Sequence, residues 1–251
     1  MIGAETTIFF DGVSWLLYAL IIATIRDFDA SWRSRSSVSR ARSALQGIGD
    51  GFRHLRGNVG ATSLLLYWFF SLAAVPIALL AAIPYVRTDL GESAFAYGIV
   101  SALYAVGSLV SSWISGRLKF PGGARKWLIA SGIGYGAVNL AMVFHPDFIW
   151  FCILWFIWGL AYGPEEVVGQ VAFAKVVPED YLGRMYSVMG VVMSMATLVG
   201  AGVAGLLIDW LGPLATMFVA GVIFMAATLG SFALGPGGRA LADVATSEVS
   251  E

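Results

Sequence analysis

The sequence predicts an all-α integral membrane protein of seven transmembrane helices, with its N-terminus outside and its C-terminus in the cytoplasm. Three observations carry that expectation. The 251 residues are 58% hydrophobic and only 12% charged, with a mean hydropathy of +0.79, whereas soluble domains carry about 25% charged residues. Apolar runs near the roughly 20 residues that a bilayer core demands recur along the whole chain. The basic residues gather on alternate connections. This composition excludes a disordered chain, a nucleic-acid binder working through a basic field, and an ordinary cytosolic enzyme. The net charge of −1 draws the chain to no polyion, and the single cysteine, Cys152, excludes an internal disulfide or a cysteine metal site.

In chain order the spans are Ile8–Ile25, Thr62–Val86, Phe95–Ile114, Trp127–Phe144, Phe148–Val177, Met185–Ile208 and Leu214–Leu234. Their unbroken apolar character, with Gly and Ala throughout, favours helices over the short alternating segments of a barrel. Trp127, Trp150 and Trp210 stand at span ends, where aromatic belts form. Arg26, Arg33, Arg35, Arg40, Arg42, Arg53 and Arg56 follow span one. Arg117, Lys119, Arg125 and Lys126 follow span three, Lys175 and Arg184 flank the turn before span six, and Arg239 follows span seven. Of the 15 Lys and Arg, only Arg87 then falls on the other side. Retained basic residues mark the cytoplasmic face. No signal peptide is expected, because no basic n-region or small-residue cleavage site precedes span one.

The connection between spans one and two carries Val38, Ala41, Leu45, Ile48, Phe52 and Leu55 at the spacing of one helical face, with Arg40, Arg42, Arg53 and Arg56 off it. A basic amphipathic helix lying in the cytoplasmic headgroup layer is expected, weakened by Gly47, Gly49 and Gly51. A solvated polar loop with accidental periodicity is the alternative.

Charges at membrane depth point to function. Asp11 lies early in span one, in the core or in the outer headgroup layer. Gly163-Pro164-Glu165-Glu166 lies near the middle of span five, whose length of about 45 Å exceeds the bilayer core. Proline there kinks the helix and frees a carbonyl, which a neighbouring group or a water-filled cavity must satisfy. Tyr162, Glu166 and Gln170 share one face, a stripe continuing through Trp158 or Trp155, while Glu165 lies about 100° round the helix from Glu166. Glu166, and after it Glu165, is a candidate to contact a proton or cationic substrate in a cavity; alternatively, both lie in the headgroup zone. Gly190, Ser194, Thr197, Ala201 and Gly205 form a small-residue face on span six, suited to close helix approach. Gly132 and Gly134 match part of a nucleotide fingerprint, but inside a span with no preceding strand they carry no such meaning.

Several segments, in order, resemble the major facilitator transporters, in particular the branch of macrolide-efflux proteins and the enterobactin exporter. Val177-Pro178-Glu179-Asp180-Tyr181-Leu182-Gly183-Arg184-Met185-Tyr186-Ser187 and the glycine-rich run to Gly212 are similar to that family's tenth-to-eleventh helix region. Gly51-Phe52-Arg53-His54-Leu55-Arg56-Gly57-Asn58 is similar to its inter-domain helix. Gly116-Arg117-Leu118 with Arg125-Lys126 resembles the second, degenerate copy of its cytoplasmic signature, without the aspartate of the full form. The resemblance implies that the seven spans correspond to helices six to twelve of a twelve-helix transporter. Residues 1–25 would be the sixth helix, 26–60 the cytoplasmic linker, 61–235 a six-helix C-terminal half, and 236–251 a disordered cytoplasmic tail. It implies gating-loop roles for Gly116, Arg117, Arg125, Lys126 and Arg184. It also implies a proton-coupled exporter of small amphipathic molecules in the bacterial cytoplasmic membrane, completed by an N-terminal half on a separate or missing segment. Glu166, Glu165, Tyr162, Gln170, Trp158 and Asp11 are then the substrate or proton candidates. No cofactor, metal or nucleic acid is implied. The alternative is an inactive truncation or a non-transporting assembly subunit. A seven-helix receptor or retinal protein is disfavoured, because Leu214–Leu234 lacks lysine and the long connection follows span one, and a membrane hydrolase is rejected because His54 and His145 lie in loops on opposite sides.

Overall fold

The computed structural model describes residues 4–24, 49–53, 55, 57–117, 123–144, 147–242 and 244; within 4–24, side chains are described at 9 and 12–21. The described residues contain helices and no strand. The helices are α1 (Ala4–Thr24), α2 (Val59–Pro84), α3 (Ala94–Ser115), α4 (Gly123–Ala141), α5 (Phe148–Val176), α6 (Leu182–Leu211), α7 (Pro213–Thr228) and α8 (Gly237–Ala242). Each of the seven apolar runs therefore falls on a helix. Five stretches are long and apolar enough to cross a membrane: Val59–Asp89, Ala94–Ser115, Phe148–Val176, Glu179–Leu211 and Pro213–Ala233. Helix α1 contributes a shorter apolar stretch, Gly12–Ile21. Glycine-rich α4, which opens on Arg125 and Lys126, does not reach the same measure.

The chain divides into two units, residues 1–46 and 47–251. The first holds α1, where Trp15, Leu16, Leu17, Leu20 and Ile21 are exposed.

In the second unit, local chemistry sets the helix ends. The Asn58 carboxamide accepts from the Ala61 amide at 3.0 Å and donates to the Val176 carbonyl at 2.6 Å, so one residue caps α2 and ties it to the end of α5. Ser93 and Asp147 cap α3 and α5 in the same way. Gly212, at φ +81°, turns the chain between α6 and α7, and Pro213 opens α7. Both α2 and α7 continue into one π-helical turn, Tyr85–Asp89 and Leu229–Ala233.

Neighbouring helices follow the order α3–α5–α4–α7–α2–α6, with α2 also meeting α5. Helices α3 and α6 thus flank the unit and expose broad apolar faces, including Leu109, Trp113, Leu198 and Leu206. One buried cluster gathers around Trp155, Trp158, Tyr135 and Phe224. The other gathers around Trp68, Phe173, Leu128 and Phe232.

Glycine decides the closest approaches. Gly107 of α3 faces Gly159 of α5, and a Cβ on either would strike the other helix's backbone. Gly136 and Gly221 join α4 to α7 in the same manner, and Gly200 lets α6 lie on the Ala73 carbonyl and Pro76 of α2. These contacts need no hydrophobic gain, only the surface match that small residues permit.

Pro164 frees the carbonyl of Leu160, four residues back along α5. The Ser111 hydroxyl of α3 donates to that carbonyl and accepts from the Gly163 amide at 3.0 Å. The proline break is thereby repaired by a neighbouring helix.

Two sequence expectations change, and a third falls mostly outside the described residues. The small face of span six is not buried: Gly190 and Gly205 meet nothing within 4 Å, and α6 packs instead through Ala196, Gly200 and Ala204. The two stripes differ by about one residue of rotation, and the buried one is that which fits the α2 carbonyl. The expected tail is ordered as far as Ala242, because α8 packs on α2 and α4 with Leu241 buried. Of the amphipathic linker, Val38, Ala41, Leu45 and Ile48 lie outside the described residues. In the helical segment 49–53, Gly51 is pressed against Val188 and the Arg184 carbonyl of α6. Leu55 packs on the second core cluster, while Phe52 stays exposed.

Three outcomes are expected from thermal and denaturant melts in detergent. Gly159→Ala should destabilise by about 1–3 kcal/mol through overpacking, whereas Gly190→Ala should stabilise by about 0.5–1 kcal/mol. Ser111→Ala should cost about 1–3 kcal/mol by orphaning the Leu160 carbonyl. That cost should shrink in a Pro164→Ala background, where residue 164 regains the amide that would answer it; equal costs in both backgrounds would show that the repair carries no weight.

Candidate functional site

Helix α5 positions the site. Its Gly163-Pro164 break sits against Ser111, and the two acids follow at once. Glu165 turns inward and is 9% exposed, the only Asp, Glu, Lys or Arg side chain among the described residues that is buried. Its carboxyl lies beside the Tyr67 hydroxyl of α2, with Ser71 and Thr228 around that hydroxyl. The hydroxyl next to the carboxyl is therefore that of Tyr67, while the Tyr104 and Tyr135 hydroxyls of α3 and α4 lie against each other.

Hydrogen bonding there is incomplete. The Tyr67 and Ser71 hydroxyls have no protein partner in hydrogen-bonding geometry, nor do the indole N–H groups of Trp155 and Trp158 or the Asn139 Oδ1. Thr228, by contrast, donates to the Phe224 carbonyl of its own helix at 2.8 Å. Unpaired buried polar atoms are few in most proteins, and two of these, on Tyr67 and Ser71, lie at the buried acid.

Glu166 lies on the neighbouring face and is half-buried. Its Oε1 accepts from Gln170 Nε2 at 3.2 Å, and the half-buried Tyr162 lies one turn earlier on the same face. The structure thus brings Tyr162, Glu166 and Gln170 together as one polar strip. Trp158 does not join it. Its ring is fully buried, 5.0 Å from Tyr104, 5.2 Å from Trp155 and 5.6 Å from Tyr135. Asp11 lies on α1, with its side chain outside those described.

The candidate gating residues take separate partners. Arg117 stacks over Trp113 with its guanidinium carbon 3.7 Å from the ring centroid, and Gly116 ends α3. Arg125 donates to the Phe232 carbonyl at 2.9 Å and the Ala233 carbonyl at 3.3 Å, capping the π-helical end of α7. Arg184 pairs with Asp50 at 3.7 Å and lies over Tyr181. Lys126 is exposed.

The sequence reasoning ranked Glu166 above Glu165 and missed Tyr67, Ser71, Ser111 and Thr228. For Ser111 a signal was present: a hydroxyl one turn beyond Gly107 suits the carbonyl that Pro164 was expected to free. Single hydroxyls inside apolar runs carried no comparable mark. No group of three or more His, Cys, Asp or Glu among the described residues could hold a metal.

The pattern that defines the Major Facilitator Superfamily matches residues 59–243. The chain is 24% identical over 226 residues to an uncharacterized MFS-type transporter, YfiS, of Bacillus subtilis (strain 168), covering 87% of this chain and 54% of that protein. It is 26% identical over 112 residues to solute carrier family 22 member 6-B of Xenopus laevis, covering 45% of this chain and 20% of that protein. A second Bacillus subtilis transporter of MFS type, YfiU, is 26% identical over 110 residues, covering 44% and 21%. The chain spans about half the length of YfiS and less of the other two. Its helical bundle with membrane-length spans and the match across 59–243 agree: this chain belongs to the Major Facilitator Superfamily.

Proposed function

We propose that the chain forms the C-terminal half of a proton-coupled exporter of small amphipathic molecules, of the macrolide-efflux and enterobactin-exporter type, in a bacterial cytoplasmic membrane. Transporters of this superfamily rock two halves around a site near the bilayer midplane, so the six helices from α2 to α7 supply one wall and an N-terminal half supplies the other. The orientation is N-out and C-in, with the arginine-rich connections retained in the cytoplasm.

One observation carries the reading: a buried carboxyl, Glu165, on a proline-broken helix directly beside the half-buried Tyr162–Glu166–Gln170 strip. An ionised carboxyl is costly in apolar surroundings and cheap in water. As the two halves alternately wet and dry the region around Pro164, Glu165 releases and takes up a proton, with the hydroxyls of Tyr67 and Ser71 as its relay. Glu166, held by Gln170, contacts the cationic or polar part of the substrate, and the Tyr162 ring its apolar part. Arg117, Arg125, Lys126, Arg184 and the turn at Gly116 serve the cytoplasmic gate.

A second reading is an inactive truncation or a non-transporting assembly subunit. The mass of the complex purified from membranes separates the two, since a transporter requires a second half in that complex.

The test is efflux driven by a pH gradient in vesicles that hold the chain together with an N-terminal half. Glu165→Gln should reduce gradient-driven efflux to background while substrate still binds; Glu166→Gln should weaken substrate binding on the order of tenfold, about 1.4 kcal/mol. Full efflux in the Glu165→Gln protein would remove that carboxyl from the coupling.

A further inference from the structure

Helices α2 and α7 do not close on each other along their whole length. Near the start of α2 and the π-helical end of α7 they leave an outward-facing groove of about 700 Å³, within the range of roughly 300–1,000 Å³ found for ligand sites. Its walls are apolar, with Leu66, Phe70 and Ile223 foremost, and Leu66 and Phe70 remain about half exposed. Both walls lie on stretches long and apolar enough to cross a membrane. The medium meeting this groove is therefore hydrocarbon.

Two details make it more than a gap between helices. Gly230 lines it, and a Cβ built there meets nothing within 4 Å, so the space exists where a side chain is lacking. The groove also runs into a second cavity that holds Arg53, and Leu55 and Thr62 line both. Arg53 is exposed and only 3.7 Å from Asp50, a carboxylate that it shares with Arg184 at the same distance. Two guanidinium groups on one carboxylate leave a net positive charge at the groove's polar end. An apolar slot with a cationic mouth at a membrane surface has the chemistry of a lipid with an anionic headgroup.

We propose that this groove binds an anionic glycerophospholipid, one acyl chain lying between α2 and α7 beside Gly230 and the phosphate meeting Arg53. The site is separate from Glu165 and does not depend on transport.

The experiment uses the full chain in nanodiscs of phosphatidylcholine with a minor fraction of phosphatidylglycerol, and reads the lipid retained after detergent extraction by native mass spectrometry. The wild type should retain phosphatidylglycerol in preference. Gly230→Leu should lower retention of both lipids, and Leu66→Trp, filling the same groove from an exposed position on α2, should do the same should the first variant fail to fold. Arg53→Gln should keep the chain-dependent binding but lose about fivefold in headgroup preference, the factor given by roughly 1 kcal/mol per basic residue at an anionic surface. Arg87→Gln, at the far end of the α2 stretch, should change neither. Retention of the two lipids by the wild type in the ratio at which the nanodisc contains them, unchanged retention in both groove-filling variants, or crosslinking of the groove to residues 4–24 in place of lipid would each overturn the assignment.

Discussion

Hydrocarbon offers no hydrogen-bond partner to a bare backbone carbonyl, and Pro164 leaves one at Leu160 in the middle of α5. The Ser111 hydroxyl answers it from α3, and much of the unit follows from that single contact. A serine side chain is short, so the helices must nearly touch for it to reach. They can touch because Gly107 faces Gly159 one turn away. Proline, serine and the glycine pair are therefore one device, and none of them makes sense alone.

The device positions two acids differently although they are adjacent in sequence. Successive residues on a helix point about 100° apart, and α5 is walled by α3 on one side and α4 on another. Glu165 is carried inward to the Tyr67 hydroxyl of α2, while Glu166 stays on the half-buried strip with Gln170. A carboxyl is thereby held beside a tyrosine hydroxyl inside an aromatic core. Such an arrangement is of use where protonation or water content changes during a cycle.

Polar side chains at the helix ends act as fasteners. Arg125 holds the last carbonyls of α7, Asn58 ties the start of α2 to the end of α5, and Arg184 meets Asp50 of the linker in a half-exposed pair. Each joins segments distant in sequence at one end of a helix. The short α8 completes this end by covering Gly123 and Ser63, positions where a larger residue would push it away.

Composition and hydropathy alone determined that the chain is helical and apolar along membrane-length runs, because lipid as solvent demands an unbroken apolar surface and leaves a periodic, redundant signature. The proline break and the neighbouring acids were legible for the same reason: charge and proline are rare inside such runs. What those properties could not determine was rotation. Whether Glu165 or Glu166 faces inward, whether α6 packs through Gly200 or through Gly190, and whether Trp158 lines a cavity or fills a core each depend on tens of degrees about a helix axis. In a span that is apolar all round, no hydrophobic stripe records that angle. Only the fit of particular glycines, hydroxyls and carbonyls between helices sets it, and that fit exists in the packed bundle and not in any one segment.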